Sequence, residues 1–113
     1  MSDQLPSEVL DAVAKIRTLG GAPVVVASTD PQLPFVVFER PNLAALSGYV
    51  SKASDATVGP LLAAVGLART SAKYPSPEIL SGIEIQRPFV IMRCVQALLA
   101  DLGLSVKAQK KSL

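Results

Sequence analysis

The sequence predicts an α+β domain, mainly helical, made of one β-hairpin and about five short helices. Three observations carry that expectation. Two short β-branched runs, Pro23–Ser28 and Phe35–Glu39, flank the turn-rich segment Thr29–Pro34, which reads as a hairpin. Helix-start chemistry recurs along the rest of the chain, at Ser7, at Asn42, at Ser54-Asp55 and at Ser76-Pro77-Glu78. Half of the 113 residues are apolar and only 18% are charged, with mean hydropathy +0.41, so the chain has enough apolar surface to bury a core. That length makes about one domain. Residues 1–104 are expected to form it, with 105–113 as a basic, flexible C-terminal tail.

The first helix is expected from Ser7 as N-cap. Glu8 and Asp11 sit near the positive end of its dipole, Val9, Val13, Ile16 and Leu19 recur at helical spacing, and Gly20-Gly21 ends it. A two-stranded ribbon is marginal alone, so the hairpin needs a covering layer and leaves an edge at Phe35–Phe38 free to pair. Asn42 caps a second helix over Leu43–Lys52, with Leu43, Leu46 and either Tyr49 or Val50 on one face. A third runs over Val58–Arg69, with Pro60 tolerated only in its first turn. Thr70–Tyr74 reads as a loop. Ser76-Pro77-Glu78 opens a fourth helix whose Ile79, Leu80 and Ile83 point inward, and which stops near Gln86 because Arg87 precedes Pro88. The fifth, Pro88–Leu102, carries the broadest apolar stripe, from Ile91 through Met92, Val95, Leu98 and Leu99 to Leu102, with Gly103 as C-cap.

Composition narrows the chemistry. The chain has no histidine, so Ser/His and Cys/His catalysis is excluded and a metal site would rest on carboxylates. Its one cysteine, Cys94, cannot form an internal disulfide and reads as a half-buried structural thiol. Gly20-Gly21 precedes a strand, whereas phosphate-binding loops follow one and lead into a helix, so no nucleotide or other cofactor is expected. Glu78 and Asp11 are explained by helix starts, and no enzyme chemistry is left. Lys107, Lys110 and Lys111 are too few for useful nucleic-acid affinity, and no aromatic alternates with arginine as a stacking platform. The longest apolar runs, Ala22–Ala27 and Leu61–Leu67, fall far short of the roughly 18–20 residues of a membrane span. Ser2-Asp3-Gln4 and the acids that follow do not make a secretory signal, and a cytoplasmic setting is expected.

What remains is binding to protein. Arg40 and Arg87, each immediately before a proline, are the candidates for gripping a partner's carboxylate, the alternative being that each is a solvated loop residue. A groove between the second and fifth helices, near Leu46, Tyr49, Phe89 and Met92, is the candidate apolar contact, the alternative being that all four are core.

The order of these elements, with Phe38-Glu39-Arg40-Pro41 closing the strand pair, Tyr74-Pro75-Ser76-Pro77-Glu78 opening a helix and a final leucine-rich helix ending in Leu102-Gly103-Leu104, resembles the small bacteriophage tail assembly chaperones. The likeness spans about Val24 to the C-terminus. It implies a non-enzymatic role in the host cytoplasm: holding a helical, aggregation-prone tape-measure protein, or another tail protein, while tail subunits polymerise around it. A structural, oligomer-forming virion subunit and a small nucleic-acid-binding regulator are the alternatives.

Overall fold

The computed structural model describes residues 5–104. The expected basic tail at 105–113 lies outside them. Helix α1 (Ser7–Thr18) leads into strands β1 (Pro23–Ala27) and β2 (Phe35–Glu39), then α2 (Leu43–Ser54), α3 (Gly59–Ser71), the short strand β3 (Ala72–Tyr74), α4 (Pro77–Gln86) and α5 (Pro88–Asp101). The α+β class, the hairpin and the five helices agree with the sequence reading.

The hairpin is antiparallel in the register Pro23↔Glu39 to Ala27↔Phe35. Its connection is tied by Asx-type chemistry: the Ser28 hydroxyl accepts from the Asp30 amide at 3.0 Å and the Asp30 carboxylate from the Gln32 amide at 2.8 Å. This turn tucks Leu33, 1% exposed, into the core. Where a loop was expected over Thr70–Tyr74, the chain makes a third strand. β3 pairs antiparallel with β2 through Val37↔Tyr74 and Phe38↔Ala72, with an irregularity between Val37 and Phe38. The sheet order is therefore β1-β2-β3, and Phe35–Phe38, expected to be a free edge, lies in the central strand. A strand of three residues has no periodicity to read, and its pairing comes entirely from a distant segment.

Strand alternation sorts the side chains onto two faces. Val25, Phe35 and Val37 meet Val9 and Ile16 of α1. Val24, Val26, Val36 and Phe38 meet α3 and α5 through Ala64, Val65, Ala68, Val95 and Leu98. α2 packs on α3 and contributes no fully buried residue.

Helix ends follow local chemistry. Asn42 caps α2 by accepting from the Ala45 amide at 2.8 Å, and Pro60 lies in the first turn of α3. α1 starts one residue earlier than expected, because the Pro6 carbonyl takes the Val9 and Leu10 amides and the Ser7 side chain makes no cap bond. Gly20 and Gly103, at φ 87° and 101°, end α1 and α5 in the left-handed region that favours glycine. Leu19, Leu43, Val50 and Ile79 point outward rather than inward. Leu19 falls beyond the last turn of α1, and the other three sit on the solvent side of helices that bury only one stripe.

Candidate interaction surfaces

The six residues expected to contact a partner do not converge. Arg87 is already engaged: its guanidinium lies over the hairpin turn, with Nε 2.9 Å from one Asp30 carboxylate oxygen and Nη2 donating to the Gln32 side-chain oxygen at 2.9 Å. Half-buried at the junction of α4 and α5, it clamps the turn to the helices and is not a free cation for a partner. Arg40 is exposed at the end of β2 and lines a shallow cavity of 330 Å³ with Pro41, Asn42 and Thr70. Leu46, Tyr49 and Met92 are half-buried and pack against the main core. Phe89 is exposed at 60%. The expected groove between the second and fifth helices is not formed, because α3 lies between them, packed on α2 on one side and on α5 on the other.

A different apolar surface is present. Where α3 meets the α4–α5 junction, a cavity of 520 Å³ is lined by Val58, Leu61, Leu62, Glu84 and Pro88, among others. Leu62 is 59% exposed; Ile85, next to Glu84, is 83% exposed and Phe89, next to Pro88, is 60% exposed. Its rim carries the Arg69–Glu84 ion pair, in which the hydrogen bond and charge of Glu84 raise the already high guanidinium pKa further. Ile85 was open to detection in the sequence. It stands two residues from the buried Ile83, and helical residues two apart cannot share a face.

A second cleft, of 430 Å³, runs between β1 and α5. Val26, Ala27, Val90, Cys94 and Ala97 line it, and Arg93 and Asp30 supply its charges. Cys94 is buried rather than half-buried, at 4% exposure. Burial, and secondarily the nearby Asp30 charge, push its thiol pKa above the ordinary range, which leaves it a neutral packing group at neutral pH.

Among the described residues no three Cys, Asp or Glu side chains converge as metal ligands would. No described helix is long and apolar enough to cross a membrane. No family model matches the chain, and no curated protein or solved structure is significantly similar to it.

Proposed function

We propose that the chain is a non-enzymatic assembly chaperone or adaptor of the phage-tail type, which holds an apolar helical segment of a structural protein, such as a tape-measure protein, until assembly displaces it. The observation that carries this reading is the apolar cavity between α3 and the α4–α5 junction, with Leu62 exposed on its lining and Ile85 and Phe89 exposed on the two helices that meet there. The cavity lining, apolar at Val58, Leu61, Leu62 and Val65 and polar at Lys52 and the Arg69–Glu84 pair, has the anatomy of a contact patch, with an apolar centre and a polar rim. A helix laid there would present side chains at i, i+3 and i+4 to this apolar lining. Holding then works by mass action, since whatever masks the segment lowers its free concentration. The likeness of element order described above supports the same class of partner.

The test is co-purification from the native background with mass spectrometry of the bound material. A long helical structural protein is expected to travel with the wild-type chain, and to be lost on combining Leu62→Ser, Ile85→Ser and Phe89→Ser, all exposed positions, with circular dichroism verifying that the variant is folded. A wild-type chain that elutes alone, or a triple variant that keeps its partner, contradicts the reading.

A further inference from the structure

The two edges of the sheet differ in how they are protected. At β3 the strand is three residues long, its pairing with β2 is irregular, and Lys73 stands at its centre near Glu39. These are the devices by which proteins blunt an edge. β1 has none of them. Its five residues, Pro-Val-Val-Val-Ala, are uncharged and pair with β2 without a bulge.

The direction of the free backbone groups on β1 follows from the register. The Arg40 amide donates to the Ala22 carbonyl and the Ser28 amide to the Pro34 carbonyl, both at 2.8 Å. Hydrogen-bonded positions alternate along an antiparallel pair, so Val24 and Val26 also bond to β2. Val25 and Ala27 therefore turn their amides and carbonyls away from β2, together with the carbonyl of Pro23, to a side where no described strand pairs with them. Proline at the first position takes one outward donor from this edge and leaves those of Val25 and Ala27.

Beside this edge lies the 430 Å³ cleft roofed by α5. Its lining is apolar at Val26, Val90, Cys94 and Ala97. Its charges are unequal: Asp30 is neutralised by Arg87, whereas Arg93 makes no ion pair among the described residues. We propose that β1 and α5 form a strand-addition groove that takes an extended acidic peptide of a partner protein as a fourth strand. The peptide backbone accepts from the Val25 and Ala27 amides and donates to the Pro23 and Val25 carbonyls; an apolar side chain enters the cleft and a carboxylate meets Arg93.

Charge selects this occupant. A second copy of β1, Pro-Val-Val-Val-Ala, brings no carboxylate for Arg93. Residues 105–113 carry Lys107, Lys110 and Lys111 and no acidic side chain. The groove is separate from Leu62, Ile85 and Phe89, and the inference stands without the chaperone reading.

The experiment selects a random nonapeptide library displayed on yeast against the folded protein, then titrates synthetic copies of the enriched peptides by fluorescence anisotropy. Enriched sequences are expected to place an Asp or Glu among β-branched residues. Ala27→Pro deletes one outward amide while keeping every bond to β2, and is expected to weaken binding about tenfold, as is Arg93→Glu. Circular dichroism verifies that both variants are folded. No enrichment, enrichment of basic peptides, or affinities unchanged in both variants overturns the proposal. So does a concentration-dependent dimer that Ala27→Pro abolishes, since that outcome gives the edge to a second copy.

Discussion

On one face of the sheet α1 buries a cluster of three residues, Val9, Ile16 and Val37, whereas on the other α3, α4 and α5 close over a core of fourteen that includes Phe38, Leu33, Val95 and Leu98. The difference makes α1 a peripheral layer and the α3–α5 side the body of the domain, because stabilisation scales with the apolar area withdrawn from water. Both surfaces proposed above, the α3–α5 patch and the β1–α5 groove, lie on helices of this larger layer.

The comparison breaks most severely at Phe38, which is 1% exposed and sits in the larger core. Phe38→Ala is expected to cost about 3–5 kcal/mol, a large part of the stability of a domain this size, read as a lowered urea midpoint. On the smaller face Ile16→Ala is expected to cost about 2 kcal/mol, at the low end for such a change, because the thin layer relaxes more readily around the gap. A larger loss from Ile16 than from Phe38 would reverse the ranking of the two faces. Further from the sheet, Asn42→Ala removes the one side-chain cap bond of α2 and should cost about 1 kcal/mol in thermal unfolding, with no effect on either core.

The smallest effect sharpens the comparison through pH. Burial raises the Cys94 thiol in the native state, while the unfolded chain ionises near the ordinary value of about 8.5. Above that pH the unfolded state holds fewer protons than the native one, so the contribution of this group is intact below it and is lost as pH rises towards the native value. Wild type is therefore expected to lose stability faster than Cys94→Ala between about pH 8 and 10 in paired denaturant titrations. Equal slopes would mean that the thiol is not held in the core.

Where the fold was legible in the sequence, the signal was local. Asn42, Pro60, Pro77, Arg87-Pro88 and Gly103 each fix a helix end through the chain's own covalent geometry, and the β-branched runs fix the hairpin. What was not legible depends on segments far apart meeting. β3 exists as a strand only because Val37 and Phe38 of β2 offer it a partner, and its appearance turned the expected free edge into the centre of the sheet. The site suffered for the same reason. Arg87 looked free until Asp30 and Gln32, more than fifty positions away, were seen to hold it. The groove expected near Leu46 and Met92 failed because sequence spacing does not say which helix lies between two others. Phe89, expected in that groove or in the core, is instead exposed, and the exposed Leu62 and Ile85 were passed over. The outward direction of Ile85 could be read from Ile83 alone.

The central claim is that β1 presents an open hydrogen-bonding edge on a stable body, and residue-resolved amide hydrogen exchange tests it most directly. Alternation is expected along a single strand: Val24 and Val26 protected to nearly the global unfolding free energy, and Val25 and Ala27 exchanging orders of magnitude faster. Uniform protection from Val24 to Ala27, or slow exchange at Val25 and Ala27 with fast exchange at their neighbours, would contradict it.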